Sequence, residues 1–456
     1  MRRGSCCPLA GRLGMRHVRW GMVVLVLCCL ACSSGGGGSV DIQDTEKAGD
    51  GGLETGGHDV AGELDLQAPP EVAAEADIEP GEVDETPGCA GDFCAAGPDY
   101  APDPSTWGPF PVGVTTMSVD LFDQYGEPRT VRVEIWYPAV EEVRNGPFET
   151  IDIYGDCPEK EKPFFEKFKE LVPPLPTQSV RDAPARLSDG PYPVVLFSHG
   201  AYGVRYQSVF FTIPLASHGY VVASIDHTGN TLYDIIAYGY DMETVVMSSF
   251  NRPYDAVVSL TAVLVRTDTP GDLLYHTMDT DRIGMSGHSF GGFLTLLMAT
   301  LDPRIEVGVP MAPSTGWLGV IGHPLENVKI PIMMMCGLAD KTLTPEQEML
   351  PAYPKLNPPK AFLKFPTGGH YTFSDICQLD LEKLAKEANF GDAEDAIEDG
   401  CGQDNVPVEI AHPIIRQFGI GIFNYYLRKS PGSLKYFDKA AAAPFSDAME
   451  YEFDFE

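Results

Sequence analysis

Between Pro193 and His370 the chain repeats one pattern: a short, nearly uninterrupted apolar run, then a longer segment with helical periodicity. The runs are PVVLFSHG (Pro193–Gly200), YVVASID (Tyr220–Asp226), RIGMSG (Arg282–Gly287), VGVPMAP (Val307–Pro313), IPIMMMCG (Ile330–Gly337) and AFLKFPTGGH (Ala361–His370). A strand that faces water on one side alternates apolar and polar residues, whereas one that is apolar at nearly every position is covered on both faces. Helices between the runs are predicted over Arg252–Leu264 and Gly291–Leu301, and a last one over Pro413–Leu427. The predicted fold is therefore α/β, a mostly parallel central sheet flanked by helices. TTMSVDLFD and RTVRVEIWYPA alternate around a turn at Tyr125–Pro128, which predicts an N-terminal β-hairpin. With no internal repeat visible, residues 107–456 are expected to form one domain.

The chain upstream of Trp107 has a different texture. Arg2, Arg3, Arg12, Arg16 and Arg19 precede the ten-residue apolar run Met22–Ala31, too short to span a bilayer but suited to an export signal over residues 1–31. Ala31-Cys32 followed by small polar residues resembles a bacterial lipoprotein cleavage site, so Cys32 is expected to be lipidated and to anchor the exported protein to a membrane. Residues 32–106 are rich in Gly, Pro, Ala and acids; Ser33–Pro104 holds 18 Asp and Glu against one Lys. Such a segment buries too little apolar surface to offset its ordering entropy and is expected to be a disordered tether. The formal charge of −33 argues against a nucleic-acid partner. Oligomeric state is not legible. Of the cysteines beyond Cys32, Cys377 and Cys401 bracket a polar, acidic excursion and form the expected disulfide; Cys89 and Cys94 could close a small loop, and Cys336 is expected as a buried thiol. The acidic run GDAEDAIEDGCGQDN fits no calcium-loop spacing, and no metal is expected there.

Residues 140–190 form a Pro- and charge-rich excursion in which Phe164, Phe165, Phe168 and Leu171 share helical spacing. A short amphipathic helix is predicted, either packed on the body or serving as a lid.

RIGMSGHSFGGFL supplies the chemistry. Ser289 lies between Gly287 and Gly291, directly after a predicted strand and before a predicted helix. In that setting small flanking residues permit a tight turn that lifts the serine above the sheet edge. A serine hydroxyl needs a base, and His370 follows the last strand behind two glycines. The base needs a carboxylate to fix its tautomer. Asp340, a few residues past the MMMCG strand, is the candidate, with Asp226 and Asp375 as competitors. Two backbone N–H donors should face the developing oxyanion. Phe290, after the nucleophile, is one; Ala201, after the first glycine-ended strand, is the other, with Tyr202 as its alternative.

FSHGAYGVRYQSVFFTIPLASHGYVVASIDH, DRIGMSGHSFGGF and GGHYTFSDIC resemble the α/β-hydrolase superfamily. The resemblance is to its platelet-activating-factor acetylhydrolase-like and predicted dienelactone hydrolase-like branch. LASHGYVV and G-H-S-x-G-G are also similar to cutinase-like polyester hydrolases. The sequence departs from these in three places. Serine stands where dienelactone hydrolases use cysteine. VPMAPSTG lacks the acid that the plasma acetylhydrolase carries there. APS stands where polyester hydrolases have APW, with Trp317 four residues on. The resemblance implies an α/β-hydrolase fold and a serine esterase working through an acyl-Ser289 intermediate, with no metal or organic cofactor. It implies a lipid or short-acyl ester as substrate first and a polyester second, against a scaffold that has lost activity.

Overall fold

The computed structural model describes residues 102–455, apart from 124, 380–382 and 384–398. The expected leader, Cys32, the Cys89–Cys94 pair, most of the tether and most of the acidic run lie outside the described residues. The packed body begins slightly ahead of Trp107. The Ser105 carbonyl accepts from Arg416 Nη2 at 2.9 Å, and the Thr106 carbonyl lies 3.0 Å from His218 Nε2.

The hairpin and the apolar runs assemble into one sheet. In chain order the strands are β1 (Val112–Phe122), β2 (Pro128–Pro138), β3 (Ser179–Arg181), β4 (Tyr192–Ser198) and β5 (Val221–Asp226). They continue as β6 (Met278–His288), β7 (Ile305–Met311), β8 (Ile332–Gly337), β9 (Lys360–Phe365) and β10 (Glu450–Asp454). Their spatial order is β10-β9-β8-β7-β6-β4-β5-β2-β1-β3. Strands β4 to β9 run parallel, and the pairs β1–β2, β2–β5 and β9–β10 are antiparallel. From β4 the chain moves outward one way to β5 and then returns to β6 on the other side. This reversal opens a crevice at the C-terminal ends of β4 and β6, the place where open α/β sheets take ligands.

Successive strand residues point to opposite faces, and each face has its own core. Val195, Phe197, Val309, Met335 and Leu363 meet α1 (Val209–Ser217) and α4 (Val408–Tyr426). Val194, Leu196, Met285, Met334 and Phe362 meet α2 (Met242–Val265) and α3 (Phe290–Leu301). Trp317 packs half-buried against the second core.

The 140–190 excursion packs on the body. Its helix is a single turn, Lys162–Phe165, continued by a 3-10 turn to Phe168. Phe165 and Phe168 are fully buried, whereas Phe164, expected on the same face, is 48% exposed. Leu171 packs partly buried against the same core, so Phe164 alone of the four apolar positions faces out, because one turn of helix cannot align the whole stripe. Below this segment lies a buried ion cluster. Arg205 Nε donates to Glu134 Oε2 at 3.0 Å, Nη1 to Asp226 Oδ2 at 2.5 Å and Nη2 to Asp156 Oδ2 at 2.7 Å. Three carboxylates from separate parts of the chain thus meet on one guanidinium, in the loop that follows β4.

Removing one partner from such a cluster strands buried charge, which typically costs about 3–5 kcal/mol. Arg205→Met is therefore expected to lower folding stability by that amount, measured as a shift of the urea midpoint. An unchanged midpoint would contradict this account of the cluster.

Candidate active site

Strand β6 ends at His288 and α3 begins at Phe290, so Ser289 alone makes the turn. Its φ of 59° lies in the left-handed region, which costs a non-glycine residue of order 1–3 kcal/mol. Both ends of the turn hold it there: the Ser289 N–H donates to the Met311 carbonyl at 2.9 Å, and its carbonyl accepts from Phe293 N at 3.0 Å. The flanking glycines are a packing requirement. A Cβ on Gly291 would lie 1.8 Å from the Ser198 carbonyl oxygen, and one on Gly287 would lie 2.5 Å from Gly291 backbone. The first turn of α3 can press against the end of β4 only because neither residue has a side chain.

His370 follows β9. Its Nε2 lies 2.9 Å from Ser289 Oγ and its Nδ1 lies 2.8 Å from Asp340 Oδ2. The loops bearing Asp340 and His370 touch through their own glycines: a Cβ on Gly337 would lie 2.2 Å from the Gly368 carbonyl oxygen, while Ala339 N donates to that oxygen at 2.9 Å. Asp340 is buried, and its second oxygen accepts from Leu343 N at 2.7 Å. Burial pulls the His370 pKa down, but the charge and hydrogen bond of Asp340, helped by Asp399, outweigh it and leave it above the ordinary imidazole value. His288 Nε2 is 2.9 Å from the His370 carbonyl and donates to it, leaving Nδ1 to accept from the Gln207 amide. Gln207 Oε1 in turn accepts from Gly200 N at 2.8 Å. One side-chain relay therefore ties the turn after β4 to the His370 loop.

Two competing carboxylates are occupied elsewhere. Asp226 is held by Arg205, and Asp375 caps α1 by accepting from Phe210 N at 2.8 Å. A third carboxylate, Asp399, was not foreseen, because it lies in the acidic run and follows no strand. Its Oδ1 accepts from His370 N and Lys341 N, both at 2.9 Å, and its Oδ2 accepts from Thr342 N at 2.8 Å. Asp399 thus clips the backbone of the Asp340 loop to that of the His370 loop. The Cys377–Cys401 disulfide closes the excursion that delivers it. Cys157 and Cys336 are buried unpaired thiols.

The backbone donors sort themselves by partner. Phe290 opens α3, and the first amides of a helix have no intrahelical acceptor. In the turn after β4, Tyr202 N donates to the Asn230 carbonyl at 3.2 Å and Gly203 N to the Gly200 carbonyl at 3.2 Å. Tyr202 is therefore engaged, which leaves Ala201 as the donor candidate beside Ser289. A Cβ on Gly200 would lie 3.2 Å from Ser289 Cβ, so this turn and the serine are in direct contact. Arg252, also unforeseen, lies buried behind it.

Comparison with known proteins agrees with this architecture. Residues 192–386 match the PET hydrolase-like family model, and residues 101–238 match that of platelet-activating factor acetylhydrolase, isoform II. Cutinase est2 of Thermobifida alba is 24% identical over 40% of this chain and 53% of its own length. A probable 1-alkyl-2-acetylglycerophosphocholine esterase of Arthroderma benhamiae is 31% identical over 40% of this chain and 49% of its own. The chain spans about half, or less, of the length of the curated relatives it matches. A solved ferulic acid esterase from Streptomyces cinnamoneus superposes with a TM-score of 0.55 at 22% identity, covering 76% of this chain and 96% of that one. The chain thus has the α/β-hydrolase fold, and its sequence is similar to ester hydrolases of that fold.

Proposed function

We propose that the protein is a serine esterase in which Ser289, His370 and Asp340 act together. The reading rests on the hydrogen-bonded chain of 2.9 and 2.8 Å that joins the three. Ser289 Oγ attacks the ester carbonyl while His370 Nε2 takes its proton; Asp340 keeps the Nδ1–H tautomer and balances the imidazolium. The carbonyl oxygen, now negative, is held by the N–H groups of Phe290 and Ala201. His370 returns the proton to the departing alcohol. Water, deprotonated by the same imidazole, then cleaves the acyl-Ser289 ester and releases the acid.

The substrate we propose is a lipid or short-acyl ester, in keeping with the acetylhydrolase similarity at residues 101–238; a polyester is the second reading, favoured by the PET hydrolase-like similarity at residues 192–386. A fluorophosphonate is expected to label the parent stoichiometrically and to leave Ser289→Ala unlabelled. No adduct on the parent would favour an inactive scaffold. In a nitrophenyl ester series, turnover should fall as the acyl chain lengthens. Acetate release from an ether phospholipid should exceed aromatic acid release from polyester film, and the opposite ranking would transfer the assignment to polymers.

His370 must be neutral to act as base, and its raised pKa places the acid limb of kcat/KM above the ordinary imidazole value of about 6.5. Asp340→Asn removes the charge that raises it. The limb should move to lower pH while kcat falls on the order of 10³–10⁴-fold. A limb that stays in place would assign the titration to another group.

A further inference from the structure

The buried side of the β4 turn carries a cation that the triad does not use. Arg252, on α2, is 1% exposed. Its Nη1 donates to the His199 carbonyl at 2.6 Å; its Nη2 donates to the Gly200 carbonyl at 2.9 Å and to Asn230 Oδ1 at 2.6 Å. Among the described residues no carboxylate pairs with it directly. Asp255, on the same helix, is bound by Arg129 and lies 2.8 Å from His227 Nδ1. A buried guanidinium held mainly by neutral oxygens is a poor stabilising device, because its desolvation is not repaid by an opposite charge.

Its position gives it another use. The Gly200 carbonyl and the Ala201 N–H are the two ends of one trans peptide, so they point in opposite directions. His199 Nε2 accepts from His227 N at 3.1 Å, so its Nδ1–H donates to the same Gly200 carbonyl at 2.6 Å. These two side-chain donors hold the carbonyl toward the interior, beside the Gly203 N–H that donates to it at 3.2 Å within the turn. The Ala201 N–H is turned away from Arg252, on the peptide whose glycine Cα lies against Ser289. Donors on a carbonyl also polarise the amide and strengthen its N–H as a donor. The same guanidinium lies 4.5 Å from the ring centroid of Phe290, the residue that supplies the second N–H. Asn230 completes the brace, since its side chain receives Arg252 and its carbonyl receives Tyr202 N.

We propose that Arg252 is a positioning residue of the oxyanion hole, which fixes and polarises the Gly200–Ala201 peptide from behind so that the Ala201 N–H meets the oxygen that becomes negative. The assignment rests on the reading of Ser289 as nucleophile.

The full chain carrying Arg252→Met or Arg252→Lys tests it, with nitrophenyl ester turnover and inhibition by a trifluoromethyl ketone, whose serine adduct places an oxyanion in the hole. Arg252→Met is expected to lower kcat by about 10²-fold with KM within about threefold, and to weaken ketone inhibition in proportion to kcat. Arg252→Lys keeps the charge but cannot span both carbonyls and Asn230, and should recover part of the loss. Should Arg252→Met not fold, Arg252→Lys carries the test alone and must still lower kcat about tenfold at constant KM. Folded variants that keep kcat and ketone inhibition within about threefold overturn the assignment. So does a loss that follows KM and thermal stability instead of ketone affinity. A parent with neither turnover nor a fluorophosphonate adduct overturns the underlying reading of Ser289; an active parent with unaffected variants overturns the role of Arg252 alone.

Discussion

The approach of the first turn of α3 to the end of β4 governs the rest of the site. Gly291 sits so close to the Ser198 carbonyl that a methyl group would overlap it. With the helix start jammed against a neighbouring strand, Ser289 has only a left-handed conformation in which to join β6 to α3. Its side chain then stands above the sheet edge, and the amide of Phe290 comes beside it. The turn after β4 is brought against the same serine from the other side. Ser289 and both candidate N–H donors are thus fixed by one contact between a strand end and a helix start.

The imidazole and carboxylate arrive by a different route, on loops that need their own constraint. Gly337 and Gly368 let these loops touch, and Asp399 ties their backbones with a single carboxylate. Asp399 lies two residues before Cys401, so the disulfide to Cys377 limits how far the clip can move. Loops are the more mobile parts of a fold, and the contact between His370 and Asp340, both carried on loops, depends on such ties. The His288–Gln207 relay supplies another, from the opposite direction.

Most of the sheet was legible because burial on two faces leaves an unmistakable run of apolar residues. Strand β10 was not, since Glu450–Asp454 alternates with acids at an exposed edge. Helix α1 escaped for the converse reason: VFFTIPLAS is apolar all round, eight of its nine residues are buried, and it has no periodicity to read. Helix α2 starts ten residues before the predicted Arg252 because its first turns are only partly buried and carry little apolar pattern. Ser289, Asp340 and His370, which the structure brings together, could be singled out because each occupies a fixed place relative to a strand. Asp399 and Arg252 could not. One depends on a covalent link across a long excursion, the other on which face of a helix meets a turn some fifty residues earlier in the chain. Neither relation is local, so neither leaves a mark in spacing.

The central claim is that one crevice gathers the Ser289 hydroxyl, the His370 imidazole and two backbone amides around a single reacting carbon. A crystal structure of the protein after reaction with a dialkyl phosphate inhibitor tests this most directly. Phosphorus bonded to Ser289 Oγ, with its free oxygen within about 3 Å of both Ala201 N and Phe290 N, is the predicted result. Phosphorus on another side chain, or an oxygen turned away from both amides, would contradict it.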